Sequence, residues 1–297
     1  MNLRRALPRG LAATLVAALA LAPACGDDDD STTGTTGGGG GTIAHPTGAD
    51  ELVFRVDTRG GLVGPSLAAV PQISVYGDGR VIVIGPTTLE YPGAALPNLQ
   101  QGTLSDAELQ ALLRAADAAG LLAADPPDYG DPPVTDLPTT EVTVNAAGVQ
   151  RTVNVYALEF DDADESLEPD QRDARRRLRE VLALVDADVA TESYRAAAVA
   201  VFVEPYDPVA GADADVGPYP WPLGDLAGVG EPVAGFGDAR CFVVEGGDAR
   251  TVLDAAAMAR EGGPWTAAGV EYELRFRPLL PNESSCDDLV PAQTGGA

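Results

Sequence analysis

The fold of this chain is decided by residues 72–84, which read QISVYGDGRVIVI. Gln72–Tyr76 and Arg80–Ile84 are short and rich in β-branched residues, and Gly77-Asp78-Gly79 supplies turn residues between them. This pattern predicts a β-hairpin. Upstream, Leu52–Thr58 alternates apolar and polar residues, which indicates a half-buried strand.

A helix is predicted directly after this hairpin. Ser105 followed by Glu108 has the spacing of a capping box, and Gly120 is placed to end the helix. Apolar residues recur between them at helical spacing: Leu109, Leu112, Leu113 and Ala116.

A second hairpin and a second helix follow a loop at 125–138 that contains five prolines. Thr139–Val144 and Val149–Phe160 are the predicted strands, and the turn is expected near Asn145–Gly148. Pro169–Val185 has an apolar stripe typical of an amphipathic helix, with charges of both signs on the remaining positions. Its exposed arginines favour a solvated face over an anion site.

The pattern restarts after Asp186–Ser193, which is the candidate domain boundary. One further helix is predicted at Ala249–Ala259, together with the strands Ala196–Glu204, Arg240–Val244 and Val270–Phe276. Strands and helices in mixed order predict an α+β fold of mostly antiparallel sheets with packed helices. We expect one large domain or two small α+β domains, residues 50–188 and 189–297.

The layout of residues 72–185 resembles a small domain family of unknown function that recurs in bacterial envelope proteins. The motifs that carry the resemblance are Tyr76-Gly77-Asp78-Gly79 and Leu104-Ser105-Asp106-Ala107-Glu108-Leu109, followed by a hairpin and a closing helix. The resemblance covers under half of the chain and implies no known activity.

The N-terminus has the order of an export signal. Arg4, Arg5 and Arg9 precede an apolar run at Leu11–Leu21 and the small residues 22–24. A membrane span needs about 18 or more apolar residues, so we interpret residues 1–24 as a signal peptide that is removed. Ordinary secretory cleavage at Ala22-Pro23-Ala24 is the alternative, and it would release a soluble protein.

Cys25 indicates lipid attachment. Leu21–Cys25 resembles the lipobox of bacterial envelope lipoproteins, and this resemblance implies a diacylglyceryl thioether, with palmitate-type acyl chains, on Cys25. The protein would then be held to a membrane and face outside the cytoplasm. Residues 25–49, with the run Asp27–Asp30 and many Thr and Gly residues, are expected to form a flexible tether.

The chain has three cysteines. Once Cys25 is assigned to lipid, Cys241 and Cys286 remain, and in an oxidising compartment they are expected to form a disulfide. The alternative is a pair of free buried thiols.

The composition excludes several partners and reactions. A net charge of −26 disfavours nucleic acid and anionic lipid surfaces as partners. All 19 basic residues are arginine, so chemistry that needs a lysine, such as a Schiff base or a P-loop, is excluded. The single histidine, His45, falls in the expected tether, where we expect no fixed geometry for an imidazole base or ligand.

Carboxylates remain as candidate functional groups. Asp162, Asp164, Ser166 and Glu168 have the alternate spacing of a calcium loop, although Leu167 occupies the position where glycine is expected. The alternative is an acidic loop whose charges favour the N-terminus of the next helix.

Two aromatic residues lie in a stiff, proline-rich stretch, Pro218–Pro222. Tyr219 and Trp221 could be presented to a protein or glycan partner there. Alternatively, they pin a long loop to its own core.

These observations favour a membrane-anchored lipoprotein that presents a non-enzymatic binding or structural domain outside the cytoplasm, with an envelope protein or glycan as partner and no cofactor. Two alternatives stay open. One is a carboxylate-dependent hydrolase that acts on an envelope glycan, and the other is a calcium-stabilised adhesion module.

Overall fold

The structure, a computed structural model, describes residues 41–62, 66–185, 189–208 and 216–289. The predicted signal peptide, Cys25 and most of the predicted tether lie outside the described residues. Within the described ranges, no helix is long and apolar enough to cross a membrane.

The first half of the chain builds a seven-stranded sheet. Its strands are β1 (Leu52–Gly60), β2 (Ile73–Tyr76), β3 (Arg80–Ile84), β4 (Leu99–Thr103), β5 (Pro138–Ala146), β6 (Val149–Tyr156) and β7 (Ala190–Ser193). They are ordered β6-β5-β1-β2-β3-β4-β7, and all neighbours are antiparallel. Both predicted hairpins are confirmed.

The turn of the second hairpin has two residues with a left-handed backbone, and a close approach requires a glycine in the turn of the first. Ala147 and Gly148 have φ angles of 53° and 73°, which suits the two-residue turn between β5 and β6. At the first hairpin, a Cβ on Gly77 would overlap the backbone of Pro46 and Thr47. Glycine is therefore required there by the close approach of the N-terminal segment.

Two helices, α1 (Asp106–Ala118) and α2 (Pro169–Leu182), cover one face of this sheet. Ser105 caps α1 through the predicted capping box. The shared core of helices and strands includes Leu109, Leu112, Leu113, Leu178, Val181, Val75, Val83, Val142 and Val155. The predicted second helix is confirmed to Leu182, after which Ala183–Val185 tightens into a 3-10 turn.

The second half builds a six-stranded sheet. It contains β8 (Ala198–Pro205), β9 (Tyr219–Pro220), β10 (Glu231–Pro232), β11 (Arg240–Glu245), β12 (Pro264–Ala267) and β13 (Val270–Pro278), with α3 (Gly246–Ala257) after β11. The order is β10-β11-β8-β13-β12-β9, and the neighbours are antiparallel except β9 and β12. The α+β fold with mostly antiparallel sheets is therefore confirmed.

Central strand β8 is buried on both faces. Val199, Val201 and Val203 pack with α3, whereas Ala200 and Phe202 pack with residues from the opposite side. This explains why residues 198–203 form a continuous apolar run instead of an alternating one.

Residues Thr42–Ala297 form one compact unit. The two sheets coincide with the expected division at residue 188 except at β7, which lies beyond that division but pairs with β4 of the first sheet. Leu280, just after β13, packs with Tyr76, Ile82 and Leu99 of the first sheet.

The prediction that the tether extends to residue 49 is wrong. The Ile43 amide donates to Gln110 Oε1 at 2.8 Å, Gln110 Nε2 donates to the Ile43 carbonyl at 2.9 Å, and the Ala147 amide donates to the Ala44 carbonyl at 2.7 Å. His45 is half-buried, with Nδ1 2.6 Å from the Pro46 carbonyl oxygen. The expectation of no fixed geometry for His45 is therefore also wrong, because these backbone bonds hold its segment against the body.

Cys241 and Cys286 form the expected disulfide, with their Cα atoms 6.0 Å apart. The bond joins β11 to the 3-10 turn Cys286–Asp288 near the end of the described chain.

Candidate functional site

The candidate site is a cavity of about 540 Å³ between the β2–β3 hairpin and the C-terminal end of α2. Its apolar lining consists of Ile73, Val83, Ile84, Leu182, Ala183 and Val185. The polar residues in the described part of the lining are Gln72, Glu159 and Arg179.

The floor of the cavity is set by strand register. Ile73 of β2 is paired with Val83 of β3, so both contribute to the lining at the same level of the sheet. Ile73 and Ile84 stay half-buried, as does Leu182 on the helix side, because α2 ends here. Aliphatic surface that would otherwise be covered by another helical turn therefore lines an open space.

Glu159 reaches the cavity from the turn that follows β6. This turn is held by two arginines of α2. Arg175, which is fully buried, donates to the Ala157 carbonyl at 2.7 Å and to the Tyr156 carbonyl at 3.0 Å. Arg179 Nε donates to the Leu158 carbonyl at 2.8 Å. The backbone on which Glu159 sits is thereby fixed against the helix.

Asp164 joins the same two arginines. One of its carboxylate oxygens accepts a hydrogen bond from Arg175 Nε, and the other accepts from Arg179 Nη2 at 2.7 Å. This carboxylate offsets the charge that Arg179 brings to the cavity wall. Glu159 has no cationic side chain within ion-pair distance among the described residues, and it is the one carboxylate that lines the cavity.

The ion pairs of Asp164 bear on the calcium interpretation. Asp164 and Ser166 lie in the 3-10 turn Asp161–Ser166, and Glu168 precedes α2 at the surface. The side chain of Asp162 lies outside the described part of the structure. In the described ranges no group of three or more His, Cys, Asp or Glu residues is arranged to hold a metal. Calcium binding stays a prediction, and Asp164 would have to leave both arginines to take part in it.

Tyr219 and Trp221 lie against the core of the second sheet. Trp221 is only 7% exposed, and its ring packs edge-on to those of Trp265 and Phe242 at centroid distances of 6.5 and 6.2 Å. The Tyr219 ring lies 5.3 Å from that of Trp265, and its hydroxyl accepts a hydrogen bond from the Arg260 amide at 3.1 Å. The interpretation that these rings pin the loop to the core accounts for both residues.

A second polar cluster, the inter-sheet latch, consists of Arg55, Tyr76, Arg277, Asn282 and Glu283. Arg277 Nη2 donates to Glu283 Oε1 at 2.9 Å, and both side chains are under 5% exposed. Tyr76 and Arg55 of the first sheet both donate to Asn282 Oδ1, at 2.9 and 3.0 Å. Burial raises the pKa of the Tyr76 hydroxyl well above its usual range, so it acts as a neutral donor.

Sequence reasoning identified neither the cavity nor the latch. For Arg175 a signal was present, because the residue lies three positions before Leu178 on the apolar stripe of α2. An arginine at such a position needs acceptors from elsewhere in the fold. For the bonds of the latch that join the two sheets no local signal exists, since the residues in each bond are more than 200 positions apart.

No protein-family model, curated protein or solved structure matches this chain.

Proposed function

We propose that this chain is an exported lipoprotein, anchored by lipid on Cys25, whose body is a binding module and takes its ligand in the cavity at the end of α2. The observation that carries the proposal is the disulfide between Cys241 and Cys286. The proposed location is the cell envelope, outside the cytoplasm.

The disulfide supports export and lipid attachment together. Structural disulfides persist in oxidising compartments and are rare in the cytosol. With Cys241 and Cys286 paired, Cys25 is the single cysteine left in the chain, and it ends the lipobox-like stretch Leu21–Cys25. Lipid attachment would account for this remaining cysteine. It would also provide a stable anchor, because two or more acyl chains bind a protein stably to a membrane, whereas a single chain binds only marginally.

The cavity supports binding over hydrolysis. Its volume of about 540 Å³ lies in the range of small-molecule sites, and most of its lining is aliphatic. Glycoside hydrolysis commonly uses a pair of carboxylates, whereas among the described residues Glu159 is the one carboxylate that lines this cavity. A surface with one carboxylate and an aliphatic floor is suited to hold a ligand.

Anchoring is tested by replacing Cys25 in the full-length chain. We expect Cys25→Ala to abolish labelling by radioactive palmitate and to move the protein from the membrane fraction to the soluble or unprocessed fraction. The matched control is Cys241→Ser/Cys286→Ser, which removes two cysteines but should stay labelled and membrane-bound. A Cys25→Ala protein that remained labelled and firmly membrane-bound would overturn the proposal.

A further inference from the structure

We infer that the cavity at the end of α2 takes an amphiphilic cation, a ligand with an apolar body that lies on the aliphatic floor and an ammonium group that pairs with Glu159. This inference rests on the proposed function only in assigning ligand binding to this cavity. It adds the chemical class of the ligand, which neither the fold nor the anchoring specifies.

The apolar body follows from the lining. Ile73 and Leu182 are packed against the core between the first sheet and its helices but remain half-buried, so part of each faces the open space. A ligand that covers this surface removes aliphatic area from water, which is favourable in proportion to the area covered. The described lining residues include no aromatic side chain, so they offer no stacking preference for a planar ring.

The sign of the charged group follows from how the two charged lining residues are already used. Arg179 is bound to Asp164 at 2.7 Å and donates to the Leu158 carbonyl, so an anionic ligand would compete with Asp164 for it. Glu159 has no such partner within the described part of the chain. An ammonium can therefore reach a carboxylate without breaking an existing ion pair, and its remaining donors can use the side-chain oxygen of Gln72.

The electrostatic field of the whole chain also favours a cationic ligand. The chain carries a net charge of −26, which attracts cations to its surface and repels anions. Local pairing and the overall charge thus both favour a positively charged ligand over a carboxylate or a phosphate.

Three probes with one tail and different head groups test the inference: decylammonium, decanol and decanoate, each below its micelle concentration. We would measure binding by calorimetry at low salt and neutral pH on the full chain carrying Cys25→Ala, so that no covalent acyl chain competes for an apolar site. We expect decylammonium to bind at least about tenfold more tightly than decanoate, since the Glu159 carboxylate attracts the ammonium group and repels the carboxylate group.

Variants locate the head group and the tail separately. Glu159→Gln should reduce the preference for decylammonium to what the overall charge of the chain alone gives, with decanol binding unchanged. Glu165→Gln removes the same charge from an exposed carboxylate on the neighbouring turn and should leave the preference intact. Ala183→Trp places a large ring in the cavity and should abolish binding of all three probes. The control is Ala118→Trp, which changes an exposed alanine at the end of α1. This variant should bind the probes as the parent does.

The outcomes separate the two proposals. Equal binding of decylammonium and decanoate, or a cation preference that Glu159→Gln reduces no more than Glu165→Gln does, would overturn this inference while the cavity remained a binding site. Binding unaffected by Ala183→Trp would place the ligand elsewhere and overturn it as well. Failure of all three probes to bind would count against the binding role assigned to the cavity, whereas lipid anchoring is judged by the fractionation experiment alone.

Discussion

Two arginines, Arg175 and Arg277, are each at most 2% exposed, and both lie beside a carboxylate. Removing a guanidinium and a carboxylate from water costs more than a surface pair would, and the cost is offset only if every donor finds an acceptor. Each guanidinium nitrogen of Arg277 has an acceptor: Nη2 donates to Glu283, Nε to the Ala69 carbonyl at 2.7 Å, and Nη1 to the Pro278 carbonyl. Removing one partner of such a pair destabilises the fold far more than removing both, because the remaining charge is left buried without a partner.

We therefore predict that Glu283→Gln lowers the free energy of unfolding by about 3–5 kcal/mol, the cost of an uncompensated buried charge. Urea unfolding of the parent and the variant measures this loss of stability. The control is Glu180→Gln, which breaks an exposed pair with Arg176 and should cost less than about 1 kcal/mol.

The double variant Arg277→Met/Glu283→Leu distinguishes the ion pair from simple packing. It removes both charges, so it should be more stable than Glu283→Gln alone. A double variant that lost stability additively would show that the two side chains do not act as a pair.

Among the secondary-structure elements, α1 was predicted best because its determinants are local. The Ser105 amide donates to Glu108 Oε2 at 2.7 Å, the Ser105 hydroxyl donates to the same oxygen at 2.6 Å, and the buried positions are the four expected from the periodicity. The hydrogen bonds from Ser105, its hydroxyl first, lower the pKa of the Glu108 carboxyl below its usual range.

This lowered pKa predicts a pH-dependent contribution to stability. A carboxyl whose pKa is lower in the folded state stabilises the fold above its unfolded pKa of about 4.3, and the contribution is lost as the pH falls through the lowered value. Melting curves should therefore show Glu108→Ala less stable than the parent near pH 7, with the difference narrowing in acid. Asp117→Ala, an exposed carboxyl at the other end of α1, is the control. If the stability difference between Glu108→Ala and the parent stayed constant down to about pH 2, the lowered pKa of Glu108 would not be its cause.

The strands that sequence reasoning missed are short or largely polar. β7, β9 and β10 have only four, two and two residues, which is too short for a periodic pattern. β4 reads LQQGT and is largely polar. Gly102 within it has a physical reason, since a Cβ there would overlap the Val189 carbonyl just before β7. A glycine in a strand signals a close approach, but it does not say which distant segment approaches.

For the molecule as a whole, the disulfide and the inter-sheet latch act on the same C-terminal segment. Cys286 lies three residues after Glu283, so one covalent bond to β11 and one ion pair to β13 hold residues 279–289. The pairing itself could be predicted by counting cysteines. Its place beside the latch could not, because that depends on how the sheets meet.

We predict that Cys241→Ser/Cys286→Ser lowers the free energy of unfolding by about 4 kcal/mol, the chain-entropy value for residues 45 apart in sequence. Denaturant unfolding with and without reductant measures this. Reductant should lower the stability of the parent to that of the double variant and leave the double variant unchanged. A loss of less than about 1 kcal/mol would mean that the reduced chain is held as well by its other contacts.

The docked N-terminal segment also determines how the body would respond to mechanical load. The chain enters at residues 42–51, bonded to Gln110 of α1 and to Ala147 of the β5–β6 turn, and continues directly into β1. β1 has β5 on one side and β2 on the other. Tension applied at Thr42 therefore runs along a central strand and shears two hydrogen-bonded ladders together instead of peeling an edge strand one bond at a time. A protein tethered at this end is pulled at a central strand and not at an edge strand.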